Sequence, residues 1–414
     1  MGDGIPKDDN GPLKGIRVLD LTRVLAGPWA SQLLADYGAE VIKVERPGCG
    51  DDTRLWGPPW LKDSAGRPTS DSAYYLAANR NKRSITANFA HPDGVAVIRD
   101  LAAKSDVVME NFKVGTMEKF GLNYEELKKL NPALILCSIT AYGQTGSRAD
   151  QPGYDAMIQA SGGLMSVTGA ADADGGSPQK VGVAIADIMA GMYSATAVLA
   201  ALVSRIKTGE GQKIDVPLYD TQVAWLANQN MNYLVGGETP VRMGTSHPNL
   251  VPYQAFPTRD SHLMIAVGND RQFRSCVECL GIAELADDKR FDCNEARVLH
   301  RDDLVDRMSS VLKENDTEFW LARMSKKGVP AGPINSIADV FTEPYAQERE
   351  LVRQLYHPVA GQIPTVANPV GFSATPVAYR YAPPMLGEHT AEVLSGELGL
   401  SAEQIDALAS RGAI

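Results

Sequence analysis

The stretch IRVLDLTRVLAGPWASQLLADYGAEVIKVE (16–45) alternates two kinds of hydrophobic pattern. IRVLDL (16–21) and AEVIKVE (39–45) are apolar runs with the length of buried strands, and AGPWASQLLADYG (26–38) between them has helical spacing and ends in glycine. A strand, a helix and a second strand in this order form a βαβ unit, whose two strands are parallel. The stretch therefore predicts an α/β fold built on a parallel sheet.

The same alternation continues through the first half of the chain, with further strands predicted at SITANF (84–89), DVVME (106–110), ALILCSIT (133–140) and within TGEGQKIDVPLYD (208–220). Helices are predicted from Pro92, at YEELKKL (124–130), and from about Ile188 to Ile206. From about residue 225 the sequence contains more Asn, Arg and Asp, which indicates a smaller second domain. The predicted organisation is a flexible N-terminus (1–12), the first part of a large domain (13–224), a small α+β domain (225–330), and a linker with a return to the large domain (331–414).

Composition excludes several classes of protein. A net charge of −10 over 414 residues repels a phosphate backbone, so nucleic acid is not expected as a partner. The five scattered cysteines indicate reduced thiols and a cytoplasmic location. No apolar run of the ~18–20 residues that a membrane span needs is found by this inspection, so no membrane partner is expected.

Familiar site signatures are absent. The first strand–helix turn, LTRVLAGPWA, has no G-x-G-x-x-G, and the chain contains neither a P-loop nor a G-x-S-x-G elbow. Cys276-x-x-Cys279 has no second pair, and the histidines are scattered, so no metal and no permanently bound cofactor are predicted. What remains is a set of polar residues at the predicted strand ends, where α/β sheets bind ligands: Thr22, Arg23, Lys43, Arg46, NRNKRS (79–84), Asn111, Phe112 and Tyr142. Several cations there suit a phosphorylated, adenine-bearing ligand, although each could equally be a solvated surface charge.

Asp187 is the most informative carboxylate, because it follows VGVAIA and precedes a long apolar helix. Two roles are compatible at such a position: capping the helix N-terminus, or chemistry at it. Backbone N–H groups at a helix start are expected to favour the ionised carboxylate, which is the nucleophilic form.

Seven ordered stretches, among them LKGIRVLDLTRVLAGPWASQLLADYGAEVIKVERPGCGD, YYLAANRNKRSITANF, SDVVMENFKVGTMEKFGL and VGVAIADIMAGMYSATAVLAAL, resemble the class III CoA-transferases. The resemblance covers most of residues 13–220 and continues in VPYQAF (251–256), GVPAGPIN (328–335) and PPMLGEHT (383–390). It implies a Rossmann-like large domain, an inserted small domain, an interlocked homodimer, and an active site between domains.

The resemblance also assigns roles. It implies that Asp187 attacks an acyl-CoA thioester, with backbone at SGG (161–163) and Gly182 near the reacting oxygen, and that coenzyme A is a substrate needing no ATP or metal. The implied CoA contacts are Val24, Leu25, Ala26, Lys43, Asn111, Phe112, Lys119 and Tyr142. Arg23 and Leu25 depart from the His and Gln of formyl-CoA transferase, which argues against oxalate and formate.

Two rivals stand beside the transferase. The related α-methylacyl-CoA racemases use a histidine where this chain has Tyr154, and an unperturbed phenol is a poor base at neutral pH. A non-catalytic acyl-CoA-binding scaffold would need Asp187 to be only a helix cap. Within the transferases the motifs look most like the succinyl-CoA:glutarate group, which implies succinyl-CoA as donor and a dicarboxylic acid as acceptor. Candidate residues for the acceptor are Arg23, Arg46, Arg54, Arg83, Tyr154 and His247.

Overall fold

A computed structural model describes residues 10–414. The strands are β1 (Arg17–Asp20), β2 (Glu40–Glu45), β3 (Trp60–Lys62), β4 (Pro68–Ser72), β5 (Lys82–Thr86), β6 (Val107–Glu110), β7 (Ile135–Thr140), β8 (Lys213–Pro217), β9 (Tyr253–Pro257), β10 (His262–Ala266), β11 (Ala331–Pro333), β12 (Val352–His357) and β13 (Gly361–Val366). The α-helices are α1 (Ala26–Asp36), α2 (Ala73–Leu76), α3 (Pro92–Ala103), α4 (Thr116–Lys119), α5 (Tyr124–Leu130), α6 (Asp155–Ser161), α7 (Leu164–Val167), α8 (Ile185–Thr208), α9 (Leu218–Trp225), α10 (Asn228–Gly236), α11 (Asp270–Leu280), α12 (Asn294–Leu299), α13 (Arg301–Leu312), α14 (Thr317–Lys326), α15 (Ile337–Thr342), α16 (Pro344–Glu348), α17 (Thr390–Leu398) and α18 (Ala402–Ser410).

Six parallel strands form the main sheet, in the order β5–β2–β1–β6–β7–β8. The chain winds outward from β1 to β5 on one side and from β6 to β8 on the other, so the winding direction reverses between β1 and β6. The loops that follow these two strands diverge, and such a point is where α/β sheets form a ligand crevice. The predicted α/β fold with a parallel sheet is confirmed.

The sheet is covered on both faces. Val18 and Val107 point into an apolar cluster with α1 and α8, whereas their neighbours Leu19 and Val108 point into a second cluster with α3 and α17. A strand buried on both faces appears in the sequence as an unbroken apolar run. This is why short runs such as IRVLDL were sufficient to predict the strands.

Helix α8 packs closely on α1. A Cβ added at Gly191 would lie 2.6 Å from the Ala26 carbonyl oxygen, so only glycine allows this approach. By length and composition α8 could also cross a membrane, a property that inspection of the sequence missed because Gly, Ser and Thr interrupt its apolar run. Half of its most apolar stretch is buried in the protein, and one such helix is weak evidence for a membrane span.

The chain forms two compact units. One contains the described residues up to Leu164 together with Val181–Val235 and Tyr345–Ile414, and it holds the parallel sheet. The other contains Met165–Lys180 and Gly236–Pro344. In this second unit the antiparallel sheet β11–β10–β9 packs with helices α11 to α14 around a core that includes Phe256, Phe273 and Trp320.

Candidate active site

A cleft of about 170 Å³ lies at the switch point of the parallel sheet, between the loops that follow β1 and β6. Eight of the predicted site residues line it: Arg23, Val24, Leu25, Ala26, Asn111, Phe112, Tyr154 and Asp187. The first four come from the loop and helix start after β1, the next two from the loop after β6, and the last two from the N-terminal ends of α6 and α8. The fold thus brings residues separated by more than a hundred positions into one cleft.

Asp187 is the third residue of α8 and is only 8% exposed. The N-cap residue is Ala184, so of the two roles considered for Asp187 the structure does not support capping of the helix. The helix amides bond to another carboxylate: Ala186 N and Asp187 N donate to Asp155 Oδ1 at 2.8 and 3.4 Å. The Asp187 side chain is therefore not needed to satisfy the start of its own helix, which leaves it available for chemistry.

The ionisation of Asp187 also differs from the expectation. Burial, together with the negative charge of Asp155, raises the pKa of Asp187 to about 7, and no cation of the described chain offsets these effects. Backbone amides do not favour its ionised form, because they are directed to Asp155. A carboxylate with a pKa near neutrality is more basic than an ordinary one, and strongly shifted groups in clefts are candidates for catalysis.

Tyr74 in α2 is a neighbour that sequence inspection missed. Burial and the carboxylates of Asp187, Asp155 and Asp51 raise the pKa of its phenol to about 12, so the hydroxyl stays protonated and can donate a hydrogen bond. Its ring packs edge-on against Trp56, with the ring centroids 5.1 Å apart. Asp155 and Tyr74 both stand inside the motif stretches, but no local pattern distinguishes them there.

A second cavity of about 350 Å³ shares Arg23 and Phe112 with the cleft. Arg46 lines it, together with the aromatic side chains of Phe89 and Phe120. Glu45, Asp51 and Asp52 line it too, and Arg23 is paired with Asp52 at 3.0 Å. The Arg46 guanidinium and the aromatic rings suit a ligand that carries phosphates and a flat heterocycle.

Lys43 and Arg54 have internal partners and do not line either cavity. Lys43 is fully buried and its Nζ lies 2.9 Å from Asp51 Oδ2. Arg54 is buried between Glu45 and Asp71, at 2.7 and 2.5 Å. Both charges are already neutralised inside the protein, and the contacts predicted for Lys43 with CoA and for Arg54 with the acceptor stay predictions.

Arg83 and Lys119 also lie away from the two cavities. Arg83 forms ion pairs with Glu40 and Glu392. Lys119 is exposed, with its Nζ 5.4 Å from the centre of the Phe120 ring.

Tyr142 packs on the core beside the cleft wall, where the Arg148 guanidinium stacks on its ring at 3.7 Å. His247 belongs to the second unit, where its ring packs against Tyr253. In the expected oxyanion segment, Gly162 packs on the side chain of Gln222, and neither it nor Gly182 is among the residues that line the cleft. Within residues 10–414, no group of three His, Cys, Asp or Glu side chains is placed to hold a metal ion.

Comparison with known proteins gives first the class and then the family. The chain has this fold and cleft, and its sequence is similar to the CoA-transferases, which are enzymes that use acyl-CoA as a substrate. A sequence model of CoA-transferase family III matches residues 13–390, and the chain belongs to this family. The resemblance found in the motifs is thereby confirmed.

Individual relatives agree. The chain is 51% identical over 385 residues to the succinate–glutarate CoA-transferase of Agrobacterium fabrum, covering 93% of this chain and 95% of the relative. It is 42% identical over 403 residues to the human succinyl-CoA:glutarate CoA-transferase, covering 97% and 90%. A solved CAIB/BAIF family protein from Brucella suis superposes with a TM-score of 0.82 at 47% identity, covering 94% of this chain and 100% of that one.

Proposed function

We propose that this CoA-transferase moves CoA from succinyl-CoA to a dicarboxylic acid such as glutarate, with Asp187 as the nucleophile. The observation that carries the proposal is the buried Asp187 carboxylate, which lines the cleft and has a pKa of about 7. The relatives described above support the substrates, since their names contain succinate or succinyl-CoA and glutarate.

The proposed reaction keeps the thioester energy in covalent form. The Asp187 carboxylate attacks the thioester carbonyl of succinyl-CoA, which forms a mixed anhydride and expels the CoA thiolate. The thiolate attacks the aspartyl carbonyl, which gives an aspartyl-CoA thioester and frees succinate. Glutarate then attacks this thioester to form a second anhydride, and the returning thiolate attacks its glutaryl carbonyl, releasing glutaryl-CoA and restoring Asp187.

The two cavities suggest how the substrates lie. Val24, Leu25 and Ala26 face the reacting end of acyl-CoA in the cleft. The cavity lined by Arg46 takes the phosphate- and adenine-bearing end, because guanidinium groups pair with phosphates and rings stack on bases. Arg23 and Tyr154 are the acceptor-binding candidates that line the cleft. The contacts predicted for Lys119, Tyr142, Arg83 and His247 stay predictions, as do the domain boundaries and the cytoplasmic location.

An interlocked homodimer is part of the proposal. On α8 and α10, Ile206 is 83% exposed, Leu234 71% and Val235 79%. Large apolar side chains with this exposure are the ones that an interaction surface would cover. A second copy of this chain is the proposed partner, and sedimentation of the purified protein would reveal a monomer if it is wrong.

The racemase alternative is not favoured. It needs an imidazole on the face opposite Asp187, but Tyr154 stands at the matching position and no histidine is among the described residues that line the cleft.

The test is mass spectrometry of CoA thioesters after incubation with succinyl-CoA and a panel of dicarboxylic acids. We expect glutaryl-CoA to form only when both substrates are present. With succinyl-CoA alone, the peptide containing Asp187 should carry CoA, and this adduct should be absent in Asp187→Asn. Asp150→Asn is the matched control, because Asp150 lines the same cleft. Transfer by Asp187→Asn would refute the covalent mechanism, and formation of no new thioester from any acid would refute the proposed substrates.

A further inference from the structure

The loop after β1 contains a backbone conformation that its sequence disfavours. Val24 has φ of +71°, in the left-handed region that β-branched residues almost never adopt. Val24 lines the cleft, and its neighbour Arg23 lines both cavities. Strained residues persist only where the surroundings hold them, and they concentrate at ligand sites.

The first contact that keeps Val24 in this conformation comes from the buried ion pair Lys43–Asp51. Asp51 Oδ1 accepts a hydrogen bond from Val24 N at 3.1 Å, and its Oδ2 lies 2.9 Å from Lys43 Nζ. The same Nζ donates to the Thr22 carbonyl oxygen at 3.0 Å. A single buried ion pair therefore binds the backbone on both sides of Arg23.

The second contact that stabilises this loop conformation comes from Asn111, in the loop after β6. Its Oδ1 accepts from Arg23 N at 3.0 Å, and its Nδ2 donates to the Arg23 carbonyl oxygen at 2.8 Å. The Oδ1 and Nδ2 atoms of Asn111 thus each have a partner in the backbone of Arg23. The family resemblance implies a different role, in which Asn111 contacts CoA directly.

We infer that Asn111, Asp51 and Lys43 are positioning residues that clamp Val24 in its left-handed conformation, and that this clamp pre-forms the cleft for acyl-CoA. The inference rests on the proposed function in one respect, namely that the cleft binds acyl-CoA. It goes beyond that function because Asn111 and Lys43 act on the loop and not on the ligand.

The clamp has a thermodynamic consequence. If only a fraction of molecules has the binding-competent loop, the apparent dissociation constant for CoA rises by the inverse of that fraction. With Asn111 removed, Val24 relaxes toward φ below zero, and ligand binding must restore the strained form. Glycine at position 24 adopts φ above zero without penalty, so the clamp becomes unnecessary.

The experiment is a double-mutant cycle with CoA as the probe, measured by titration calorimetry on the full chain. Asn111→Ala should weaken CoA binding by about tenfold, the equivalent of one strained residue. Val24→Gly is the reference for the second half of the cycle, and Val24→Gly/Asn111→Ala should bind CoA within about twofold of Val24→Gly itself. Val24→Ala/Asn111→Ala is the matched control: alanine also removes the valine side-chain bulk but keeps the penalty on φ above zero, so no recovery is expected.

The outcomes separate the two readings of Asn111. If it contacts CoA directly, its removal weakens binding equally with valine or glycine at position 24, and this additivity would overturn the clamp. Recovery in the alanine control would also overturn it, since side-chain bulk would then be the cause. Should Asn111→Ala not fold, Asn111→Asp replaces it, because Asp keeps the acceptor for Arg23 N and loses the donor.

A kinetic readout distinguishes the clamp from general destabilisation. Asn111→Ala should raise KM for succinyl-CoA and leave kcat nearly unchanged, with the rise reversed by Val24→Gly. Failure of the proposed function looks different: the unmodified protein would bind CoA yet form no glutaryl-CoA. An unmodified protein that does not bind CoA at all would overturn the clamp together with the cleft assignment.

Discussion

Two buried aspartates in the same unit of the protein behave in opposite ways. Asp20 ends β1 and is fully buried; burial opposes its ionisation, but Lys82 and Lys43 with two hydroxyl donors outweigh this and lower its pKa to about 2. Asp187 is almost as buried, yet burial and Asp155 raise its pKa to about 7. The difference is that cations offset burial at Asp20, whereas no cation of the described chain offsets it at Asp187.

This comparison separates a structural carboxylate from a reactive one. Asp20 is surrounded by partners, with hydrogen bonds from the Thr22 and Ser31 hydroxyls at 2.5 Å each, and it stabilises the fold. Asp187 destabilises the folded protein whenever it is ionised, and a protein keeps such a group only where function needs it.

Loss of Asp187 should abolish transfer without unfolding the protein. Asp187→Asn removes the nucleophile, and we expect kcat for glutaryl-CoA formation to fall by at least about 10³-fold. Circular dichroism should show an unchanged fold, because the amides at the start of α8 are bonded to Asp155. Activity within tenfold of the unmodified protein would place the chemistry elsewhere.

Loss of Asp20 should have the opposite outcome, a large loss of stability. Asp20→Asn leaves Lys82 buried without its anion, 3.2 Å from the substituted side chain, and should lower the free energy of unfolding in urea by about 3–5 kcal/mol. The double variant Asp20→Asn/Lys82→Met should be more stable than the single one. The pKa of Asp20 is lowered from 3.8, so its contribution is present above about pH 4 and is lost as pH falls toward about 2.

The same substitution at Asp187 should stabilise the protein, but only at high pH. Its folded pKa is raised from 3.8 to about 7, so the folded state binds more protons between these values and stability falls as pH rises through them. Asp187→Asn removes this loss and should raise the free energy of unfolding by roughly 2–4 kcal/mol at about pH 8. Thermal unfolding should show little increase in stability for Asp187→Asn at about pH 4. An equal increase at both pH values would contradict the ionisation argument.

The smallest effect is expected from Asp155, through the pH profile. In the unmodified protein kcat/KM should rise with pH, with a midpoint near the Asp187 pKa of about 7. Asp155→Asn keeps an oxygen for the Ala186 amide but removes the charge, so the midpoint should move down by about half to one pH unit. Tyr74, whose pKa Asp187 helps to raise, stays neutral throughout this range because that pKa is about 12. An unmoved midpoint would mean that burial alone sets the Asp187 pKa.

Much of the fold could be predicted from the short-range pattern of hydrophobic residues. Helix α5 was predicted with its observed bounds, and α8 was found but begins at Ile185, three residues before its predicted start. The partners of charged residues could not be predicted in the same way. The family resemblance implies CoA for Lys43, and Arg54 is a candidate for the acceptor, whereas their ion-pair partners in the structure, Asp51 and Asp71, are recognisable only in three dimensions.

The order of strands and helices, the parallel sheet, the family and the candidate nucleophile Asp187 could all be predicted from the sequence, because hydrophobic period and motif residues are local properties. Which charges are neutralised depends on tertiary contacts. Lys82 and Asp20, which pair in the core, are 62 positions apart, and Asp155 caps a helix that begins thirty residues later. In a poorly polarisable interior the free energy of a charge depends on its nearest groups in space. Sequence distance carries no information about those neighbours.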